Sequence, residues 1–173
     1  LGADTTLTTT DNNVTFSSTV DGDGTARDLT INTGGTTGTI QFVNTVGANN
    51  DLDAISITGN LDLDGAATGL TTLSVSGTSN LGANVTTSST QTYSGAVTLS
   101  GADRTLTGST VNFGSTLAGG TNGLTITGNL DLDGAATGLT TLSVSGTSNL
   151  GANVTTSSTQ TYSGAVTLSG ADR

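Results

Sequence analysis

The residues best suited to chemistry are two aspartates that stand two positions apart, and this pair occurs twice. Asp62 and Asp64 recur as Asp131 and Asp133. Residues i and i+2 of a β-strand share one face about 7 Å apart, which is the carboxylate spacing of an inverting glycosidase. The same strand would turn the intervening Leu63 inward and leave both carboxylates on a solvated outer face. Because the chain has no His, Lys or Trp, we favour the solvated face, and an Asp-dependent polysaccharide hydrolase is the lesser alternative.

A second acidic group has the character of a calcium-binding loop. Asp21 and Asp23 alternate with two glycines in the segment DGDGTARD, which ends at Asp28, and positions 49–53 (NNDLD) are a weaker example. The segment lacks the spacing and the closing Glu of an EF-hand, and it occurs only once. A plain turn between two strands is therefore the favoured interpretation. The many serines have no His to activate them, so the sequence predicts no enzyme, no catalytic residue, no metal site and no cofactor.

The composition restricts the partners that the chain can bind. Only 9% of its 173 residues are charged, yet the net charge is −10, because 13 aspartates face three arginines (Arg27, Arg104 and Arg173). This balance argues against nucleic acid and against anionic membrane surfaces, both of which require a basic footprint. No apolar run approaches the roughly 20 residues that span a bilayer. No Cys is present, which excludes disulfides. Since no signal peptide is visible and the first residue is not Met, we expect an excised piece of a longer protein.

The chain is organised around one stretch that is copied without error. The segments 57–104 and 126–173 are identical, so that Ile57 recurs as Ile126 and Arg104 as Arg173. Apolar and polar residues alternate throughout, as in Leu73-Ser74-Val75 and Ala96-Val97-Thr98-Leu99. This alternation predicts strands of about three to five residues with one apolar face. Helices are excluded because Gly, Thr and Val dominate and no apolar period of 3.6 is present.

A shorter period lies inside the repeated unit. The triplets at 124–126, 142–144 and 160–162 follow each other at a constant 18-residue step. The step from 91–93 to 111–113 is slightly longer, and the one from 111–113 to 124–126 is clearly shorter. We therefore divide the unit into four coils and the chain into about ten coils of roughly 17–20 residues. Such coils predict an all-β fold, a parallel β-helix (β-solenoid) with no helix.

The competing fold is a tandem of immunoglobulin-like sandwiches. The short internal period and the missing Pro and Trp argue against it.

The domain organisation follows from the same count. Residues 1–104 form one solenoid unit with an inserted coil at about 32–54, residues 105–173 form the second unit, and both belong to one continuous rod. The first portion obeys the same scheme, because Thr6-Leu7-Thr8 matches Thr105-Leu106-Thr107 and Val14-Thr15-Phe16 matches Val111-Asn112-Phe113.

Three side-chain arrangements follow from the coil alignment. Tyr93 is predicted to lie over Phe113 on the next coil. Asp103 and Arg104 are predicted to form an exposed corner ion pair of little energetic value. Thr-x-Thr pairs such as 105/107 and 125/127 resemble the hydroxyl ranks of ice-binding solenoids, but the alignment places Asn112 in that rank, which disfavours a regular array.

The strings NVTTSSTQTYSGAVTLSGADRTLTGSTVNFGSTL and GLTTLSVSGTSNLGANVTT resemble the repeats of large bacterial exoproteins of the filamentous-haemagglutinin type. The resemblance covers nearly the whole chain. It implies a right-handed parallel β-helix, two-partner or autotransporter-like secretion, and a surface-bound or released adhesin. No binding residue of that family can be matched to a position here.

The sequence thus favours a structural or adhesive segment of an extracellular bacterial fibre or surface filament, a rigid shaft without catalysis. Its expected location is extracellular or at the bacterial cell surface. Its expected partners are neighbouring repeats or further copies of itself, stacked into fibres, together with host or environmental surface glycans. The alternative is an ice- or carbohydrate-binding module that uses a flat Thr-rich face.

Overall fold

The computed structural model describes residues 1–35 and 37–170, and this part of the chain contains twenty β-strands and no helix. The strands are β1 Thr5–Thr8, β2 Val14–Phe16, β3 Leu29–Asn32, β4 Thr39–Phe42, β5 Leu52–Thr58, β6 Asn60–Leu63, β7 Ala67–Val75, β8 Ser79–Leu81, β9 Val85–Thr87, β10 Thr90–Tyr93, β11 Val97–Leu99, β12 Arg104–Phe113, β13 Leu117–Ala118, β14 Leu124–Leu132, β15 Ala136–Leu139, β16 Leu142–Val144, β17 Ser148–Leu150, β18 Val154–Thr156, β19 Gln160–Tyr162 and β20 Val166–Leu168. The predicted all-β, helix-free class is confirmed.

All the strand pairings among these elements are parallel, and each strand pairs with strands about one coil before and after it in the sequence. The fold is therefore the predicted parallel β-solenoid. Each coil has three sides, which we call faces 1, 2 and 3 in the order in which the chain visits them. One inward column on face 1 is Leu7, Ile31, Ile57, Val75, Tyr93, Phe113, Leu132, Leu150 and Leu168. The column on face 2 is Val14, Ile40, Leu61, Ser79, Val97, Leu117, Ala136 and Val154. The column on face 3 is Val20, Val46, Ala67, Val85, Leu106, Ile126, Val144 and Tyr162.

The alternating apolar and polar residues of each strand point into the core and out to solvent, respectively. In β5, for example, Ile55 and Ile57 are 2% and 3% exposed, whereas Ser56 between them faces solvent. The inward side chains of successive coils form one continuous apolar core. Backbone hydrogen bonds join each coil to the one before it, such as Ser76 N–H to the Ile57 carbonyl at 3.0 Å. A coil alone could not satisfy these groups, so stacking is what makes the strands stable.

The number of coils is smaller than predicted. Face 2 carries eight strands in order, which gives seven steps from coil to coil. At a strand spacing of about 4.8 Å the stack is about 34 Å long. The prediction of ten coils was wrong because it placed Leu124 above Phe113. The residue that stacks on Phe113 is Leu132, whereas Leu124 lies on face 3 beside Arg104. The short fourth step of the repeat therefore joins two faces of one coil.

The two identical segments consequently occupy different faces. Ile57 lies on face 1, and three coils carry the same column to Phe113. Its copy, Ile126, lies on face 3. The displacement from Ile57 to Ile126 is therefore three coils and two faces. The second copy is rotated by one face relative to the first, about a third of a turn.

The first two coils are the longest. Ile31 is paired with Ile57, so the coil between them is longer than the one from Ile57 to Val75. Residues 32–54 complete it, with Thr39–Phe42 as the strand on face 2. The additional residues lie between strands and leave the parallel ladders uninterrupted.

One corner of each copy is built from glycines that stack on each other. Gly77 and Gly95 follow Gly59 at the step of one coil. A Cβ added to Gly77 would lie 2.4 Å from the Gly59 carbonyl oxygen, and one on Gly95 would lie 2.3 Å from the Gly77 oxygen. The close approach of the backbones, rather than an unusual φ, is what requires Gly at 77 and 95.

We predict that Gly77→Ala lowers the free energy of unfolding by about 1–3 kcal/mol, because the added methyl group forces adjacent coils apart. Chemical denaturation followed by circular dichroism measures this loss. Gly2→Ala is the matched control, since no atom lies within 4 Å of a Cβ at that position. Equal stability of the two variants would contradict the close-packed corner.

Candidate functional site

The paired aspartates lie on the outer surface, where their side chains bond to neighbouring coils. Leu61 and Leu63 are buried at 3% and 2% exposure, so the strand turns Asp62 and Asp64 outward. Asn80 Nδ2 donates to Asp62 at 2.8 Å, and Gln41 Nε2 donates to Asp64 at 2.9 Å. These amide contacts form a ladder along face 2 and bring no other ionisable group to the carboxylates.

The Asn80–Asp62 contact of this ladder is reproduced in the second copy on another face, whereas the Gln41–Asp64 contact is not, because Gln41 lies outside the copied segment. Asn149 Nδ2 donates to Asp131 at 2.8 Å, the same distance as in the first copy. Because the partners stand one coil apart in the sequence, both belong to the copied segment and move with it. The arrangement is therefore a property of two adjacent coils, whichever face they occupy.

The calcium-like loop is held by its own hydrogen bonds. Asp21 accepts from the backbone N–H and the side-chain amide of Asn49, at 3.0 and 2.9 Å, and these bonds lower the pKa of Asp21. Asp23 forms an ion pair with Arg27 at 3.0 Å, and hydrogen bonds from that guanidinium lower the pKa of Asp23. Asp28 accepts from the backbone of the next coil, at Ala54. Within residues 1–35 and 37–170, no three acidic side chains converge in a way that could hold a metal ion.

The predicted ion pair between Asp103 and Arg104 is not formed. Asp103 accepts from Gly123 N–H at 2.6 Å, and Arg104 Nε donates to the Leu81 carbonyl at 3.1 Å. Arg104 also donates to the Ser100 carbonyl. The Arg104 guanidinium thus donates to backbone carbonyl oxygens at a corner. The adjacent Asp103 in the sequence suggested an ion pair, because the sequence does not show which carbonyl groups lie near the guanidinium. The equivalent Arg173 lies outside the described residues.

The outward positions form two double rows of mostly hydroxyl-bearing side chains. On face 1 the rows are Thr6, Thr30, Ser56, Ser74 and Thr92, and beside them Thr8, Asn32, Thr58, Ser76 and Ser94. On face 3 one row is Thr105, Thr125, Ser143 and Thr161, with Thr107 and Thr127 beside it. We call these two surfaces the hydroxyl rows. The coil alignment predicted that Asn112 interrupts the row on face 3. Asn112 lies on face 1 instead, so the row on face 3 has no Asn at that point.

The interior contains a polar cluster that the sequence analysis missed. Gln91 and Tyr93 are both 0% exposed and point inward. The Tyr93 hydroxyl donates to Gln91 Oε1 at 3.0 Å, and Gln91 Nε2 donates to the Thr107 carbonyl at 2.8 Å. Burial raises the pKa of Tyr93, so the hydroxyl keeps its proton and remains a donor. The signal was present: in Gln91-Thr92-Tyr93 the inward positions of the alternation are the Gln and the Tyr.

The predicted neighbour of Tyr93 is confirmed. Its ring stacks on that of Phe113 with centroids 5.6 Å apart and an interplanar angle of 16°. The two residues belong to successive coils. A buried pair of parallel rings contributes more than its area alone.

Residues 154–168, at the C-terminal end of the stack, repeat the sequence of residues 85–99 but are more exposed. Val97 and Leu99 are each 1% exposed, whereas their copies Val166 and Leu168 are 43% and 65% exposed. Gln160 still donates to the Val154 carbonyl at 3.3 Å, and its second contact is the Thr156 hydroxyl at 3.4 Å, whereas Gln91 donates to the Thr107 carbonyl at 2.8 Å. We call residues 154–168 the C-terminal end coil. It carries two of the three large apolar side chains that are exposed in the described part of the chain.

No family model matches the chain, and neither the curated proteins nor the solved structures include a match. No helix of the described residues is long and apolar enough to cross a membrane.

Tyr93 and Tyr162 have identical sequence neighbours but differ in burial, so the effect of burial on the same substitution can be compared. We predict that Tyr93→Phe lowers the free energy of unfolding by about 1–3 kcal/mol, because Gln91 Oε1 is left buried without its donor. Tyr162→Phe, at the half-exposed copy, should cost less than about 0.5 kcal/mol, since water replaces the lost bond.

Urea denaturation of both variants at low protein concentration measures the difference. A similar loss in both would mean that the two copies share one environment, contrary to their burial.

Proposed function

We propose that this chain is a structural or adhesive segment of an extracellular bacterial fibre or surface filament, in which the solenoid serves as a rigid shaft without catalysis. The observation that carries the proposal is the uninterrupted series of parallel ladders along the described chain, into which a copied unit fits without a break. The extracellular bacterial setting rests on the resemblance to filamentous-haemagglutinin repeats.

The mechanics of such a shaft follow from its bonding. Each coil is joined to its neighbours by backbone hydrogen bonds on three faces, as at Ser94 on face 1, Val97 on face 2 and Ala67 on face 3. Bending the stack would stretch the bonds of one face, while the other two faces resist. The apolar core also resists bending, because its side chains are in contact from coil to coil.

The surface supports the role of a hydrated shaft. Outward residues are mostly Thr, Ser, Asn and Asp, and the net charge of −10 repels non-specific neighbours. Since the unit advances by three coils and two faces, each further copy would present its surface a third of a turn away from the last. A shaft of this kind displays every outer motif on all three sides.

A second candidate function is supported by the hydroxyl rows. They give a regular array of hydroxyl groups about 4.8 Å apart along the axis, of the kind that an ice- or carbohydrate-binding face requires. The rotation of the copies limits it, however, because the array changes from face 1 to face 3 partway along the stack. Each array spans only four or five coils, so we rank the shaft first.

The shaft predicts how length grows with sequence. Appending a further copy of residues 105–173 to the chain should add three coils and two faces, about 18 Å at about 4.8 Å per coil, with an unchanged cross-section. Small-angle scattering of chains with one, two and three added units measures both quantities. Growth in thickness, or a string of separate compact bodies, would contradict the proposal.

The hydroxyl rows predict a loss of binding that depends on the face. If they bind ice or a polysaccharide, the double variant Ser74→Arg with Thr125→Arg should abolish it by disrupting both arrays. The matched control is Thr98→Arg with Thr137→Arg, which makes the same change in charge on the outer side of face 2. Thermal hysteresis tests ice, and retention on insoluble polysaccharides tests carbohydrate. Equal behaviour of the two variants, or no activity in the unmodified chain, would eliminate this candidate.

A further inference from the structure

We propose that the C-terminal end coil binds the N-terminal coil of a second copy of this chain, with β1 of that copy paired to β18 and β2 paired to β19. This inference rests on the proposed shaft and specifies its partner and register. It follows from comparing two identical segments of the chain, residues 85–99, which another coil covers, and residues 154–168, which are more exposed.

The structure shows what covers this sequence. Residues 85–99 are identical to the C-terminal end coil, and β12 lies on top of them. Leu106 pairs with Val85, Val111 pairs with Gln91, and Phe113 pairs with Tyr93. The cover thus presents Thr-Leu-Thr to the first strand and Val-x-Phe to the second.

The N-terminal coil presents the same two triplets. Thr6-Leu7-Thr8 corresponds to Thr105-Leu106-Thr107, and Val14-Thr15-Phe16 corresponds to Val111-Asn112-Phe113. Within the described chain, β1 pairs only with β3 and β2 only with β4, so each has an unpaired edge. Leu7, Val14 and Phe16 are only partly buried. The N-terminal coil therefore has the sequence, the free edge and the exposed apolar groups of a cover.

The end coil has matching unpaired edges. β18, β19 and β20 pair only with β15, β16 and β17 among the described strands. An unpaired parallel edge is a template for another chain. The apolar residues on it, Val166 and Leu168, are the exposed copies of a covered pair.

The internal contacts define the contacts between copies. Phe16 of the second copy would stack on Tyr162, as Phe113 stacks on Tyr93, and Leu7 would pack on Val154, as Leu106 packs on Val85. The Thr8 carbonyl would accept from Gln160 Nε2, in the place that the Thr107 carbonyl takes for Gln91. One docking step would thus cover the apolar residues and replace the 3.4 Å contact of Gln160 with Thr156 by a carbonyl contact like that of Gln91.

The last strand of the end coil has a counterpart as well. In the internal cover, Leu117 follows the Val-x-Phe triplet and pairs with Val97. Val20 follows the N-terminal triplet at the same spacing. Val20 of the second copy would therefore lie over Val166, the exposed copy of Val97.

The register implies an open assembly. Face 1 of the second copy would continue face 2 of the first, so each junction turns the next copy by about a third of a turn. The two surfaces in contact are different, so a pair of 173-residue chains still exposes one surface of each kind. Such a heterologous contact produces a filament rather than a closed dimer.

Sedimentation velocity of the 173-residue chain over a range from micromolar to millimolar concentration tests the association. Salt of about 0.15 M screens the repulsion between chains of charge −10. We expect species that lengthen by whole chains as the concentration rises. Leu168→Asp should raise the dissociation constant about tenfold or more, because it places an unpaired carboxylate in the contact. At 65% exposure the residue is not needed for the fold of the single chain.

The control for that variant is Thr98→Asp, which adds the same charge on an exposed outer position of face 2. It should associate as the unmodified chain does. A chain that stays monomeric at millimolar concentration, or association that survives Leu168→Asp, would overturn the inference. The shaft would stand in either case, because the scattering of chains with added units tests it separately.

Engineered cysteines test the register, and the chain has no Cys of its own. In the proposed register Thr15 of one copy pairs with Thr161 of the other, at a Cα separation of about 4.8 Å that permits a disulfide. Thr15→Cys with Thr161→Cys should therefore form a reducible ladder of linked chains on oxidation. In a stack that aligned face 2 with face 2, Thr15 would pair with Thr155, so Thr15→Cys with Thr155→Cys is the matched control. Linkage in the control pair instead of the first pair would overturn the rotated register.

Discussion

The backbone hydrogen bonds between coils are the interaction on which the structure depends. A strand of three or four residues has no partner within its own coil, so its N–H and C=O groups must meet those of the coils before and after. This requirement holds each face in register while leaving the corners free to vary. The coil from Ile31 to Ile57 can therefore be longer than the coil from Ile57 to Val75 without a break in the ladders. The absence of Pro follows from the same requirement, because nearly every strand has neighbours on both sides.

The copied segments show how local this bonding is. The amide–carboxylate contact of Asn80 with Asp62 and that of Asn149 with Asp131 have the same length, although the two pairs lie on different faces. A pair of adjacent coils is thus an independent module, and the three faces are interchangeable places for it. The copy in this chain is displaced by three coils and two faces, and it preserves the stack. The rotation of a third of a turn per unit is a consequence of this freedom.

Chemistry on this scaffold is confined to surfaces that the stack leaves open. On the outer faces Asp62, Asp64 and Asp131 accept from side-chain amides of adjacent coils. In the Asp21 loop, Asp21 accepts from Asn49 and Asp23 pairs with Arg27. Within the described residues the C-terminal end coil differs from the covered coils, since identical residues are fully buried at Leu99 and largely exposed at Leu168. Exposed apolar surface is therefore greatest at the C-terminal end coil, whereas the sides carry regular polar arrays.

The class of fold and the inward or outward direction of the strand side chains could be predicted from the residue pattern alone. Alternation with a period of two places Ile55 and Ile57 inside and Ser56 outside whatever the neighbours are, and the regular steps identified strands that do stack, including Tyr93 over Phe113. Tertiary structure alone decided which face each strand occupies, and with it the number of coils and the rotation of the copies. The physical reason is that the period of two is local to a strand, whereas the face depends on how much chain each corner consumes. Those corner lengths vary, so the strand that stacks on Phe113 could not be identified from the sequence. The structure shows that it is the strand of Leu132.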